Sequence, residues 1–258
     1  MLQTDPHYYG QGRLLIAQRL AGGTLGPWTW LGDVSAFSLK LTVEKVEHKE
    51  SWSGQRALTD SFPVGKTCTL DLTLHQLSPD NLALALYGTV STVVQGTVTG
   101  EAFPPAVAVN DDLYLNHLAI TNLVITDATA GTPKTLVPDV DYTVDADFGR
   151  ITMLNVTGYV QPFARAYAYA ATQAVGLFTR AQPVIALRYE GINLAEGNAP
   201  VVVTLFKVAT DPLQELALIT TGTDVAGMQV SAGLLADLSK PANGPLGQFG
   251  SIVMVRAA

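Results

Sequence analysis

Apolar and polar residues alternate most clearly in two stretches of the chain. Phe37, Leu39, Leu41 and Val43 are interleaved with Ser38, Lys40, Thr42 and Glu44, the period-two pattern of a strand with one buried face. Cys68, Leu70, Leu72 and Leu74 repeat it, with Thr67, Thr69, Asp71, Thr73 and His75 opposite. A short apolar run at 12–18, then Ala21-Gly22-Gly23 and Trp28-Thr29-Trp30-Leu31, predicts an opening hairpin with Trp28 and Trp30 on one face. Residues 113–126, 142–154, 164–169, 184–190 and 201–208 are also strand-like, and a final pair of strands ends at Arg256.

Only one segment carries full helix punctuation. Ser78 is placed to cap, Pro79 to occupy the first helical position and Asp80 to face the positive end of the helix dipole. Leu82 and Leu86 are its expected buried stripe and Gly88 its end, while 211–219 is a second, weaker helical candidate. The expected class is mainly β, a single domain over 1–258. Between the two best strands, 46–63 reads as a long loop containing Glu47-His48-Lys49-Glu50-Ser51 and Gly54, and loops of that length are commonly functional. Glu101-Ala102-Phe103-Pro104-Pro105 is the nearest thing to a linker, and no internal repeat is visible.

Composition changes this picture in one respect. Of 258 residues, 48% are hydrophobic and only 14% charged, against roughly a quarter charged in an ordinary soluble domain, so much of the surface is expected to be covered by other subunits. The formal charge of −7 opposes a protein that grips phosphate backbones; DNA, as a partner, would be repelled. The lone Cys68 rules out an internal disulfide and is expected to pack in the core. No uncharged apolar run is long enough to span a bilayer, and 1–10 lacks a secretory-signal pattern, so a soluble protein made in the cytoplasm is expected.

Candidate chemistry is sparse. Val64-Gly65-Lys66-Thr67 ends like a phosphate-binding loop, but Asp60 stands where the earlier glycine belongs and a strand follows, so a plain turn is the better reading. Gly10-Gln11-Gly12 lacks the third glycine of a dinucleotide fingerprint, Leu15 taking its place, and reads as turn chemistry. Asp139, Asp141, Asp145 and Asp147 lack the glutamate that closes a calcium loop, and Asp147-Phe148-Gly149-Arg150 resembles a hairpin turn. His7, His48, His75 and His117 are scattered, and no nucleophile elbow is present. No catalytic residue, metal or cofactor is expected.

Leu31-Gly32-Asp33-Val34-Ser35-Ala36-Phe37-Ser38-Leu39, followed by Glu47-His48-Lys49-Glu50-Ser51 and Gly54, resembles the tail tube (major tail) proteins of long-tailed bacteriophages. The order of pieces continues the likeness: opening hairpin, amphipathic strand, polar loop, second amphipathic strand, a Pro79–Leu86 helix, and Asp141-Tyr142-Thr143-Val144-Asp145-Ala146 through Gly149-Arg150-Ile151. The resemblance implies a β-sandwich or barrel-like subunit with one flanking α-helix, assembling into stacked hexameric rings with an inner β-barrel. It implies that His48, Lys49, Glu50, Ser51 and Trp52 form an inter-ring stacking loop. Glu44 and Asp71, on the polar strand faces, are the candidates for the lumen. Implied partners are further copies of the chain, tape-measure, baseplate and terminator proteins, and DNA passing through the lumen without specific binding; no membrane is involved. The location is the tail of the virion, after assembly in the host cytoplasm. The segment 101–136 exceeds what a compact tube fold needs and is expected to be an outer-surface elaboration. Rival readings are a tail terminator or secretion-system tube protein, and a carbohydrate-binding or hydrolytic β-sandwich using Trp28, Trp30 and Trp52 as an aromatic platform.

Overall fold

Both alternating segments become strands, and both run well past the region of alternation. In the computed structural model, which describes residues 7–220 and 225–255, β1 (Gly10–Gln18) pairs antiparallel with β2 (Thr29–Trp30), giving the expected opening hairpin. β3 (Val34–Lys49) and β4 (Leu58–Leu74) form one long antiparallel ribbon, and α1 (Pro79–Ala85) follows. The Ser78 hydroxyl accepts the Asn81 N–H, as its capping position requires.

β5 (Thr89–Val93) then leads into β6 (Gly96–Ala102), β7 (Asp112–Tyr114), β8 (Ile120–Thr126), β9 (Tyr142–Asp145), β10 (Arg150–Met153) and β11 (Ala164–Tyr169). β12 (Thr172–Gly176) pairs with β5. The chain finishes with β13 (Val184–Asn193), β14 (Ala199–Thr210), β15 (Met228–Leu234) and β16 (Gly250–Met254). The fold is mainly β, with one α-helix among the described residues.

The chain divides into two units, one built from the segments up to Val90 and from Val175, the other from Ser91–Ala174. The 101–136 segment is thus part of a larger inserted unit. In the first unit, an eight-stranded sheet runs β2-β1-β13-β14-β15-β4-β3, with β16 also on β14. β14 is shared: Val201–Leu205 pairs with β16, and Val208–Thr210 pairs with β15. Among the described residues the path ends at β2 and β3 without closing. Its core holds Leu70, Leu72, Leu74, Leu187, Leu205, Met228 and Val230, with Cys68 among them. In the second unit, β6-β11-β8 and β7-β10-β9 form two small sheets, with Ile125, Tyr142, Ile151, Met153 and Phe163 in one apolar cluster.

Several sequence expectations are corrected. Residues 46–63 are mostly strand, leaving only Glu50–Ala57 outside it. α1 buries Asn81, Ala83 and Ala85, while Leu82 and Leu84 pack only partly against the core. Asn81 is buried because its amide donates to the Leu31 and Gln76 carbonyls at 2.8 and 3.0 Å. Residues 211–219 are not helical; the Leu213 N–H donates to Ala85, which ties the segment to α1 instead. Glu101 is not in a linker but in β6, where it pairs with Arg165 at 2.9 Å. Gly10 and Gly12 lie within β1 rather than a turn, and a Cβ at Gly12 would fall 2.4 Å from the Glu190 carbonyl oxygen. Arg256 lies outside the described residues.

Candidate functional site

The β3–β4 ribbon is the part of the first unit whose chemistry is least satisfied by its own fold. Near its base, Leu39 pairs with Leu70 and faces the core. From Leu41 outward β3 is exposed, as is β4 beyond the buried Cys68 apart from half-buried Gly65, and about nine residues of β3 at ~3.4 Å each carry the ribbon roughly 30 Å. Its exposed apolar side chains are Leu41, Val43, Val46, Leu58, Phe62 and Val64, with Leu41 at 81%. A bare two-stranded ribbon is marginal in water, so such a surface calls for a covering partner.

The apolar character also changes face along the ribbon. Leu41 and Val43 sit opposite Cys68 and Lys66, but Glu44 pairs with Gly65 and Lys45 with Pro63, so Val64 is an extra residue in β4. Beyond it, Val46 pairs with Phe62 on the face that Glu44 occupies. The Val64-Gly65-Lys66-Thr67 sequence is therefore neither a turn nor a phosphate cradle; it is a bulged piece of β4 with no helix after it.

At the tip, the predicted stacking residues divide by role. His48 and Lys49 are the last residues of β3, and Ser51 and Trp52 are exposed in the connection, Trp52 at 77%. Glu50 is not a solvated contact residue. Its carboxylate is buried inside the loop, accepting the backbone N–H groups of Trp52 and Ser53, each at 2.9 Å, that of Ala57 at 3.3 Å, and the Ser53 hydroxyl. The Ser53 hydroxyl and N–H, with the Trp52 and Ala57 N–H groups, outweigh burial and lower its pKa from 4.5 to about 2. Positive φ at Gly54 and Arg56 completes the reversal. The loop thus presents Trp52 from a braced turn.

Glu44 and Asp71 lie on one face, with Ser38, Lys40, Thr42, Thr67 and Thr69 from the ribbon and Gln229 and Ser231 from β15. Glu44 is exposed. Asp71 accepts from Lys40 Nζ and from the Ser231 hydroxyl, both at 2.7 Å, and these bonds, Lys40 first, hold its carboxyl below the usual range. The face is consequently hydroxyl-rich, with one acid already compensated. Lys40 was visible in the alternation. Ser231 was not, because its adjacency to Asp71 arises only when β15 docks on β4.

The remaining candidates have separate structural roles. Asp141 accepts from Val137 N–H, Asn155 Nδ2 and Tyr159 OH at 2.6–2.9 Å, while Asp145 pairs with Arg150 at 3.3 Å. His75 contacts the Ser35 hydroxyl at 2.8 Å, and His117 stacks on Tyr169 with ring centroids 3.6 Å apart. Among the described residues there is no group of three or more His, Cys, Asp or Glu side chains suited to a metal. A cleft of about 1070 Å³ is lined by Tyr8, Gly12, Asp33, Phe37 and Tyr189 among others, without histidine or cysteine. Trp30 lies on β2, beneath the Arg13 guanidinium at 5.4 Å, with Trp28 directly before that strand, whereas Trp52 is in the loop at the ribbon tip. No helix among the described residues is long and apolar enough to cross a membrane.

No curated protein matches the chain. Residues 7–253 match the family described as "Protein of unknown function UCP028589", and the chain belongs to that family.

Proposed function

We propose that the protein is a tail tube (major tail) subunit of a long-tailed bacteriophage, a structural virion protein that self-assembles into stacked hexameric rings around the channel for DNA ejection. The observation that carries this reading is the outer part of the β3–β4 ribbon, beyond the Leu41–Cys68 pair, bare on both faces, apolar on each in turn and braced at its tip. An open sheet that ends in a long strand, β3, adds to it, because a ring of identical copies satisfies such an edge.

In the assembled tube the ribbon is an intersubunit element. His48, Lys49, Ser51 and Trp52 reach the neighbouring ring, and Glu50 fixes the loop that carries them. The hydroxyl-rich face bearing Glu44 and Asp71 lines the inner β-barrel, which closes only between subunits, and DNA passes it without specific binding. Tape-measure, baseplate and terminator proteins are the further partners; no catalytic step or cofactor is involved.

Electron microscopy of the purified protein over rising concentration tests the reading. Hollow rings and tubes are expected. Single rings that never stack would favour a tail terminator, and a protein that stays monomeric throughout would overturn the proposal.

A further inference from the structure

β16 is an apolar edge strand without the features that usually blunt one. It pairs with β14 along one side, and among the described residues no strand lies on the other. Gly250–Met254 contains no charge and no proline, and Ile252, Val253, Met254 and Val255 are each more than half exposed. Free backbone groups beside apolar side chains form a template for another strand.

The ladder identifies the free groups. Val255 N–H donates to the Pro200 carbonyl at 3.0 Å, and Phe206 N–H donates to the Phe249 carbonyl at 3.1 Å. Antiparallel alternation then turns the backbone groups of Ser251 and Val253 toward β14 and those of Ile252 and Met254 away from it. Ile252 and Met254 place their side chains on one face, Val253 on the other.

A second long free edge exists in the same chain. β3 ends the sheet path, so among the described residues its outer edge is unpaired, and it carries exposed Leu41 and Val43 on one face and Val46 on the other. β2, at the opposite end, is only two residues long. Unlike edges in one chain are what a head-to-tail contact requires: each copy offers one and receives the other, and a closing rotation makes a ring. Resting on the tube-subunit reading above, we infer that β16 of one copy pairs with the outer edge of β3 in a second copy, the apolar side chains of both strands covering each other on the two faces.

The test uses the full chain. Ile252→Pro with Met254→Pro removes two outward N–H donors while leaving the bonds to β14. Separately, Met254→Cys and Val43→Cys are combined in a Cys68→Ala background and oxidised mildly. The proline variant is expected to need about tenfold or more higher concentration to assemble, and the cysteine pair to give a ladder of covalent multimers that neither single-cysteine protein gives. Wild-type rings, with the proline variant assembling equally well and no cross-linked ladder, would overturn the β16–β3 pairing alone. A ladder from the cysteine pair supports it even where the proline variant fails to fold. Absence of assembly by wild type at every concentration would overturn the tube-subunit reading and this inference with it.

Discussion

Leu41→Ala combined with Phe62→Ala separates the stability of the subunit from its association. Leu41 is 81% exposed and Phe62 is 56% exposed, and they lie on opposite faces of the ribbon. Complete burial by a partner would stabilise the contact by about 2 kcal/mol through Leu41 and about 1.5 kcal/mol through Phe62, relative to alanine. Losing both removes about 3–4 kcal/mol per interface, roughly two to three powers of ten in association constant. In the free subunit these atoms already face water, so each substitution should change unfolding by about 0.5 kcal/mol or less. Sedimentation velocity over a concentration series reads the first quantity, and denaturant unfolding of the dilute subunit reads the second. A double variant that assembles at wild-type concentration would refute the assignment of the ribbon as interface, as would a loss of more than about 2 kcal/mol in subunit unfolding.

The Glu50 brace should be acid-sensitive. Because its folded-state pKa is lowered from 4.5 to about 2, its stabilisation is fully present above 4.5 and lost as pH falls through about 2, so Trp52 fluorescence should shift in that window; Glu50→Gln should show the shifted signal already at neutral pH. Lys40→Gln leaves Asp71 with only Ser231, and an NMR titration should find the Asp71 carboxyl closer to its ordinary range than in wild type. In the core, Leu70→Ala in the first unit and Ile151→Ala in the second remove side chains that are 1% and 0% exposed, so each should cost about 2–5 kcal/mol in denaturant unfolding.

The sequence made strands legible wherever one face is buried. Phe37, Leu39 and Cys68–Leu74 alternate because their apolar sides pack on the sheet core, and Leu41 and Val43 continue the pattern with exposed side chains. From Lys45 to Pro63 the same two strands continue with neither face buried and a bulge at Val64, so the alternation that marks a strand disappears and the segment looks like a loop. Capping at Ser78 was legible because it is local. At 211–219, the weaker helical candidate, local pattern does not decide: a short helix depends on tertiary packing, and here the Leu213 N–H is committed to the Ala85 carbonyl. The division at Ser91 and Val175 was hidden because strands on either side carry similar patterns. At the candidate site, Trp52 was recognisable as a loop residue, whereas the internal role of Glu50 depends on converging backbone N–H groups that no residue type announces.

The most direct measurement is end-on class averaging of particles in electron micrographs of the assembled wild-type protein, with the mass of the same fraction from sedimentation equilibrium. Hollow rings with sixfold symmetry and the mass of six subunits or stacks of six are expected; particles without a channel, or a monomer mass at every concentration, would contradict the tail tube assignment.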